Sequence, residues 1–340
     1  MLGSSGAPLQ ENYDLAMLDL DGVVYVGGEA VPGAPAHLAA ARAAGMRLAY
    51  ITNNAARPPR TVAEHLQELG VPAEPDDVVT SAQAAARVLA DRLAPGAAVV
   101  LLGADGLREA LLEVGLVPVG VEDEAAAVVT GYAPEALWRD IMRVAVRIRD
   151  GLFWVASNTD LSFPTPFGVA PGHGVLVETL ERFSGVRAVV AGKPARPLLD
   201  ETVRRVGGRR PLMVGDRLDT DIAGGRVSGV DTLLVLTGVT GLEELLAAPP
   251  QWRPTYLAPD LGGLATAHAA PERLRDGRVR AGGWTARVEG GALVVTGDGR
   301  PEEWWRAVAV AGWAHLDAHG IAADASGLGQ PVPPEPAAGR

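Results

Sequence analysis

Residues 13–25 read YDLAMLDLDGVVY, a short apolar run that ends in two aspartates one residue apart. The run from Leu15 to Leu18 predicts a buried strand, and side chains two apart on a strand point to the same side. Asp19 and Asp21 would therefore place two like charges close together where the strand ends. Because an unpaired buried carboxylate is costly, another group must neutralise this pair.

Similar apolar runs recur as far as about residue 240, separated by longer amphipathic stretches: RLAYITN, AAVVLLG, AAAVVTG, LFWVASN, RAVVAGK, RPLMVGD and DTLLVLTG. This alternation predicts an α/β fold with a mainly parallel sheet covered by helices on both faces. Ligands bind such sheets at the carboxyl ends of the strands. Polar turns end four of the runs, at 19–21, 52–54, 192–194 and 215–221. We expect these four turns to converge on one crevice.

The length of 340 residues suggests two or three folding units. The stretch between the second and third polar turns has apolar runs and helices of its own, which indicates an inserted domain. The predicted segments are a flexible leader at 1–12, a discontinuous core at 13–82 and 187–268, an inserted domain at 83–186, a small ββα appendage at 269–322 and a disordered tail at 323–340.

The appendage is too small for a comfortable independent core, so we expect it to pack on the rest of the chain. Its helix begins with Pro301 and two glutamates, a typical helix start. Trp304, Trp305 and Trp313 are expected to form the buried face that docks this helix.

Composition excludes several classes of protein. The net charge of −11 argues against nucleic acid as a main partner, which would require a concentrated basic face. No run reaches the length of a membrane span, and no signal peptide is visible at the N-terminus, so we expect a cytoplasmic protein without a membrane partner. The absence of cysteine excludes thiolate chemistry, and any metal must be held by oxygen or imidazole.

A divalent cation would explain the paired aspartates. Mg²⁺ binds carboxylate oxygens and would remove the repulsion between them. The run MVGDRLDTD offers Asp216 and Asp221 at another strand end. The alternative is that Asp19 to Gly22 form an ordinary turn, in which an aspartate bonds its own backbone.

Two other strand ends carry groups that can hold an anion. Thr52, Asn53 and Asn54 offer a hydroxyl, amides and free N–H groups, although threonine and asparagine also cap helices well. Lys193 lies in a glycine-proline turn, where its ammonium can reach phosphate oxygens. A single lysine in a turn is otherwise an ordinary solvated charge.

The combination of these residues indicates a particular protein family more specifically than any one of them does. In order, Asp19, Asp21, Thr52, Lys193 and the GDxxxxD run at 215–221 resemble the haloacid dehalogenase superfamily of phosphatases. The large insertion, ASNTDLSFPTPFGVAPGHG at 156–174 and GDRLDTDIAGGRVSGVDTLLVLTGV at 215–239 resemble its NagD-like and nitrophenyl phosphatase subfamily, which has a class IIA (C2) cap. The resemblance covers residues 13 to about 265.

The resemblance implies a Rossmann-like core and a role for each acidic residue. Asp19 resembles the nucleophile that forms an aspartyl phosphate, and Asp21 the general acid and base. Mg²⁺ would be bound by Asp19, by the backbone carbonyl of Asp21 and by Asp216, with Asp221 nearby.

The same resemblance assigns the remaining polar residues. Thr52 and Lys193 would bind the phosphoryl oxygens, while Asn53 and Asn54 shape their loop. In this family the inserted domain is a cap that selects the leaving group, through which relatives often dimerise. Asn158 and Asp160 are the candidates for facing a small phosphorylated metabolite, the alternative being that they only cap a turn.

Three functions remain open at this point. The segment that follows the capped core resembles the layout of actinobacterial glycerol 3-phosphate phosphatases, which makes glycerol 3-phosphate the first candidate substrate of a Mg²⁺-dependent phosphatase. A phosphotransferase or phosphomutase would use the same aspartyl phosphate. A catalytically silent ligand-binding protein would keep the fold without turnover.

Overall fold

The computed structural model of the chain describes residues 2–165 and 167–329. These residues form two compact units. One unit comprises the described residues up to Leu48 and from Arg209 onward, and the other comprises Ala49–Gly208. The first boundary between the units falls inside a single strand, Arg47–Thr52.

The helices and strands are numbered in chain order. The helices are α1 Leu9–Asn12, α2 Ala34–Ala43, α3 Pro59–Glu68, α4 Ser81–Ala90, α5 Asp105–Glu113, α6 Trp138–Arg149, α7 His173–Ser184, α8 Pro197–Val206, α9 Ala223–Ser228, α10 Leu242–Leu246 and α11 Pro301–His319. The strands are β1 Leu15–Leu18, β2 Tyr25–Val26, β3 Glu29–Ala30, β4 Arg47–Thr52, β5 Val78–Thr80, β6 Ala98–Leu102, β7 Val117–Val119, β8 Ala127–Thr130, β9 Phe153–Ala156, β10 Ser162–Thr165, β11 Gly168–Pro171, β12 Val189–Val190, β13 Pro211–Gly215, β14 Asp231–Val235, β15 Tyr256–Ala258, β16 Glu272–Arg273, β17 Val279–Ala281, β18 Trp284–Glu289 and β19 Ala292–Gly297. Within residues 2–165 and 167–329, no helix has both the length and the hydropathy needed to cross a bilayer.

The sheet of the first unit is parallel and runs in the order β15-β14-β13-β1. All four residues of β1 are buried, as its unbroken apolar sequence requires. Its register pairs Leu18 with Val214, so the ends of β1 and β13 lie side by side. The predicted α/β class with a parallel sheet is confirmed.

The second unit contains a parallel pair, β4 with β5, and a five-stranded parallel sheet in the order β12-β9-β8-β6-β7. Helices α6 and α7 cover that sheet, and their apolar faces share a core with it that includes Ile148, Trp154 and Leu180. The limits of the inserted domain, 83 and 186, stay a prediction.

The appendage packs against the first unit's core. Its four strands form an antiparallel sheet, β16-β17-β18-β19, against which α11 lies. Four strands are present where two were predicted, because β16 and β17 are only two and three residues long and carry charged residues beside few apolar ones. Trp304, Trp305 and Trp313 are buried in one cluster with Leu246 and Leu257, which confirms their expected docking role.

The ends of the chain make contacts that the sequence analysis did not anticipate. Leu2 and Leu9 are buried, and Ser5 N–H donates to His268 C=O at 2.7 Å. Apolar side chains among small residues therefore hold the described part of the leader to the first unit. Near the other end, Leu293 N–H donates to Asp324 C=O at 2.8 Å, while residues 330–340 of the predicted tail lie outside the described residues.

Candidate active site

Three carboxylates meet at one edge of the first unit's sheet. Asp19 directly follows β1, Asp216 directly follows β13, and Asp221 lies in a π-helical turn, Leu218–Ile222. One oxygen of each carboxylate lies within 4.8 Å of the others. Asp216 and Asp221 are fully buried, and Asp19 is half-buried. Such concentrated negative charge away from water requires a compensating cation.

Strand register brings these residues together. Because β1 and β13 are parallel neighbours, their carboxyl ends lie at the same edge. Asp19 N–H extends the pairing by donating to Val214 C=O at 2.9 Å. A one-residue slip would turn the aspartates to the opposite face of the sheet.

The Asp216 carboxylate is enclosed by backbone. Val239 N–H donates to its Oδ2 at 2.6 Å. A Cβ on Gly22 would lie 2.4 Å from Oδ2, and a Cβ on Gly238 would lie 2.0 Å from it. Gly22 also has a φ of 82°, which favours glycine. Two glycines thus leave room for a carboxylate where any side chain would collide.

Asp221 is held in a comparable way. A Cβ on Gly215 would lie 2.3 Å from Asp221 Oδ2, and Arg217 N–H donates to the same oxygen at 3.1 Å. The Arg217 side chain turns to Asp219 instead, with an Nη2 to Oδ2 distance of 2.8 Å. Burial is the largest single influence on Asp219 and raises its pKa, but the hydrogen bond and charge of Arg217 together with backbone hydrogen bonds lower the pKa of this carboxyl overall.

The donor set fits a hard divalent cation. All three side chains offer carboxylate oxygens, the ligands preferred by Mg²⁺ and Ca²⁺, and no sulfur or imidazole belongs to the group. Asp21 lies two residues beyond Asp19 and is itself exposed, in a turn closed by Gly22 N–H donating to Tyr25 C=O at 2.8 Å. A metal contact from its backbone carbonyl stays a prediction.

The second unit holds the predicted polar loop after β4. Thr52 is buried, and its Oγ1 accepts from Asn54 N–H at 3.0 Å. The exposed Asn54 accepts from Ala56 N–H at 2.8 Å through its Oδ1. Both side chains therefore stabilise the turn itself, whatever else they bind.

Asn53 ties this loop to Lys193. Its Oδ1 accepts from Lys193 N–H at 2.8 Å, and its Nδ2 donates to Lys193 C=O at 3.0 Å. A Cβ on Gly192 would lie 2.6 Å from Asn53 Oδ1, so the glycine permits this approach. The Lys193 side chain is buried, with only 2% of its surface exposed. The predicted loop and the predicted lysine thus form one hydrogen-bonded group.

Asn158 and Asp160 belong to the same group. Asn158 Nδ2 donates to Asn53 C=O at 2.8 Å, and Asn53 Nδ2 donates to Asp160 Oδ1 at 3.0 Å. Asp160 N–H also donates to Asn158 Oδ1 at 3.2 Å, which is the turn-capping contact considered as the alternative. Asn158 is buried, whereas Asp160 is half-buried. The two side chains organise the loop in addition to any contact with a substrate.

The residues that support these groups could not be assigned from the sequence. Gly238 and Val239 surround the Asp216 carboxylate, and Gly192 leaves room for the side chain of Asn53. The visible signal was a glycine directly after an apolar run, as in LLVLTG and VVAG. A glycine in such a turn is too common to be assigned to a partner before the partner's position is known.

Comparisons with known proteins agree with this geometry. A model of the haloacid dehalogenase-like hydrolases matches residues 16–117, and a HAD-hydrolase-like model matches residues 190–264. The D-glycerol 3-phosphate phosphatase of Mycobacterium tuberculosis is 42% identical over 292 residues, which are 86% of this chain and 80% of that protein.

Solved structures give the same result. The glycerol phosphate phosphatase of M. tuberculosis in complex with magnesium superposes with a TM-score of 0.82 at 41% identity, over 91% of this chain and 92% of that chain. The p-nitrophenyl phosphatase of Archaeoglobus fulgidus superposes with a TM-score of 0.70 at 29% identity, over 74% of this chain and 98% of that chain. The chain therefore belongs to the haloacid dehalogenase-like hydrolases and is an enzyme of that family.

Proposed function

We propose that this chain hydrolyses small phosphomonoesters with Mg²⁺, through a phosphoryl group carried on Asp19. The observation that carries the proposal is the carboxylate cluster of Asp19, Asp216 and Asp221 at the carboxyl edge of a parallel sheet. The phosphatase names of the relatives, and the magnesium in one of their structures, support it.

The metal would be held by those three carboxylates and by the backbone carbonyl of Asp21. When bound, Mg²⁺ supplies positive charge that offsets both the carboxylates and the phosphoryl oxygens. Gly22 and Gly238 keep the Asp216 carboxylate in place, so that the ligand geometry exists before a substrate arrives.

Asp19 and Asp21 divide the covalent chemistry between them. A carboxylate oxygen of Asp19 attacks phosphorus, and the bond from phosphorus to the leaving oxygen breaks as Asp21 gives that oxygen its proton. Asp21 then takes a proton from water, whose oxygen attacks the phosphoryl group and releases phosphate and free Asp19. The exposed position of Asp21 gives it access to water for this second step.

Thr52 and Lys193 would bind the phosphoryl oxygens, with Asn53 and Asn54 shaping the loop that begins at Thr52. A charged lysine is worth most where water is excluded, and Lys193 is buried. Asn158 and Asp160 are the candidates for contact with the leaving group, because their loop is bonded to Asn53.

Glycerol 3-phosphate is the first candidate substrate, because the 42% identical relative is named a D-glycerol 3-phosphate phosphatase. The test is phosphate release from glycerol 3-phosphate, phosphoglycolate, pyridoxal phosphate, sugar phosphates and nucleotides, with Mg²⁺ and with EDTA. Metal-dependent release concentrated on glycerol 3-phosphate supports the proposal. Transfer of the phosphoryl group to an added acceptor without phosphate release would favour a phosphotransferase. The absence of any turnover would favour a ligand-binding protein.

A homodimer through the inserted domain is part of the same proposal. On α6, Trp138, Met142 and Val146 lie four residues apart on one helix face, with 66%, 50% and 37% of their surfaces exposed. A second copy of the chain would cover this face. Sedimentation should therefore give a dimer for the wild type and a monomer for Trp138→Glu, whereas Val227→Glu, which replaces an exposed apolar residue of the other unit, should remain dimeric.

We place the protein in the cytoplasm, without nucleic acid or a membrane as partner. The net charge of −11 supports this, since a polyanion or an anionic bilayer would repel the chain. Fractionation of cells that produce the protein, with the activity assayed in each fraction, tests the location.

A further inference from the structure

The start of α7 clamps the loop that carries Asn158 and Asp160. Gly172 N–H donates to Leu161 C=O at 2.8 Å, and Gly174 N–H donates to Asp160 C=O at 2.9 Å. We call residues 172–174 the clamp and residues 158–161 the clamped loop. Two hydrogen bonds from one helix start thus fix successive carbonyls of the loop.

The glycines of the clamp are required by space. A Cβ on Gly172 would lie 2.2 Å from Asp160 C=O, and a Cβ on Gly174 would lie 2.3 Å from the Thr159 oxygen. The helix start and the loop therefore approach backbone to backbone. Between the two glycines, a single side chain faces the loop.

That side chain is His173, which is 4% exposed. Its Nδ1 lies 2.9 Å from Asn158 C=O. Because a carbonyl only accepts, Nδ1 carries the proton and the neutral ring leaves Nε2 as an acceptor. Nε2 is buried and has no hydrogen-bond partner in the part of the chain that the structure describes. An apolar side chain would fill this space without burying an unsatisfied acceptor. The presence of histidine therefore points to its hydrogen bond with Asn158 C=O.

The clamped loop leads directly to the proposed phosphoryl-binding lysine. Asn158 and Asp160 both bond Asn53, and Asn53 bonds the backbone N–H and C=O of Lys193. Ser81 Oγ–H also donates to Asn53 C=O at 2.6 Å, so this carbonyl accepts from both Ser81 and Asn158. A shift of the clamped loop would therefore displace the two bonds that orient the Lys193 backbone.

We propose that His173 is a positioning residue, which holds Asn158 and thereby sets the place of Lys193 through Asn53. The inference rests on the proposed function, in which Lys193 binds the phosphoryl group. His173 itself touches no reacting atom, so its effect must appear in how the enzyme handles phosphate and not in how it binds the metal.

Three substitutions separate the hydrogen bond from packing. In His173→Asn the amide nitrogen can take the place of Nδ1 and donate to Asn158 C=O. In His173→Gln the amide lies one carbon further out, near the place of Nε2, and cannot make that bond. His173→Leu fills the space without a donor. If the leucine variant does not fold, the comparison of asparagine with glutamine still decides.

The expected result is a split between the variants. The kcat for the best phosphomonoester and the affinity for inorganic phosphate, measured by calorimetry, should fall about 10- to 100-fold in His173→Leu and His173→Gln, because a misplacement of about 1 Å has that effect. His173→Asn should keep most of both. The affinity for Mg²⁺ should be unchanged in all three, since the carboxylate cluster belongs to the first unit.

The matched control is His268→Leu. His268 is equally buried but lies in the first unit, where its Nε2 bonds Gly263 C=O at 2.8 Å. This variant should lose thermal stability and keep the wild-type kcat and phosphate affinity. Wild-type kcat and phosphate affinity in His173→Gln, or equal losses in the asparagine and glutamine variants, would overturn the inference. A wild-type enzyme without turnover would overturn the proposed function instead, and the phosphate affinities would still test the role of His173.

Discussion

Replacing Gly238 with alanine should weaken Mg²⁺ binding without touching a metal ligand. The new Cβ would lie 2.0 Å from Asp216 Oδ2 and 2.6 Å from its Cγ. Real Cβ atoms keep at least 3.0 Å from other atoms, so the carboxylate must move by about 1 Å. Retreat of the backbone is blocked, because the same Cβ would lie 2.7 Å from Gly22 Cα.

The magnitude follows from the tolerance of the metal. Mg²⁺ demands oxygen distances of about 2.0–2.1 Å with little variation, roughly 0.2 Å, so a shift of about 1 Å removes Asp216 from a good ligand position. Substitutions that disturb a ligand's support weaken metal binding about 10- to 100-fold, which corresponds to about 1.4–2.7 kcal/mol. We expect a loss in this range for Gly238→Ala.

The assay is calorimetric titration with Mg²⁺, together with the Mg²⁺ dependence of phosphate release. Activity of Gly238→Ala should recover when Mg²⁺ is raised in proportion to the lost affinity. Gly241→Ala is the matched control, because a Cβ there would meet no atom within 4 Å among the described residues. Wild-type Mg²⁺ affinity in Gly238→Ala, or an equal loss in Gly241→Ala, would show that Mg²⁺ binding does not depend on the space that Gly238 leaves for Asp216.

Three further outcomes follow from the structure. Mg²⁺ at about 100 times its Kd should stabilise the fold by about 2.7 kcal/mol, measured by thermal denaturation, and an unchanged Tm would contradict a cation site in the carboxylate cluster. Truncation after residue 268 should give an aggregated product in size-exclusion chromatography, because it exposes Leu246 and Leu257, which pack against α11 in one apolar cluster. A soluble, monodisperse product would show that the appendage is dispensable. Burial lowers the pKa of His173, and burial with the nearby Arg306 lowers that of His268, in each case from 6.5 to about 4. Between pH 6.5 and pH 4 the unfolded chain binds more protons than the folded chain, so the free energy of unfolding is highest above pH 6.5. As the pH falls to 4, each histidine lowers the free energy of unfolding by up to about 3 kcal/mol. A urea unfolding midpoint that does not change across this pH range would contradict this expectation.

The acidic part of the site was largely predictable from the sequence. Asp19 follows a short apolar run that is typical of a buried strand, and Asp216 follows another. Parallel pairing then brings such strand ends to one edge, whatever the details of the loops. The metal-binding prediction needed only this rule and the repulsion between like charges.

The supporting residues were not predictable in the same way. Gly238 and His173 act through contacts with Asp216 and Asn158, which lie on other segments of the chain, and such contacts depend on where the two segments meet in the fold. The leader was predicted as flexible from its small, polar composition. Leu2 and Leu9 are nevertheless buried, and the average composition of twelve residues does not reveal two buried side chains.

In the proposed mechanism, Asp19 carries the phosphoryl group during turnover. The direct measurement is acid quenching of the enzyme with glycerol 3-phosphate and Mg²⁺, borohydride reduction of any acyl phosphate, and mass spectrometry of the peptide that contains residues 13–25. A reduced residue is expected at position 19 in the wild type, whereas a folded Asp19→Asn should give neither that product nor turnover. Phosphate release that continues in Asp19→Asn, or an acyl phosphate trapped at another residue, would contradict it.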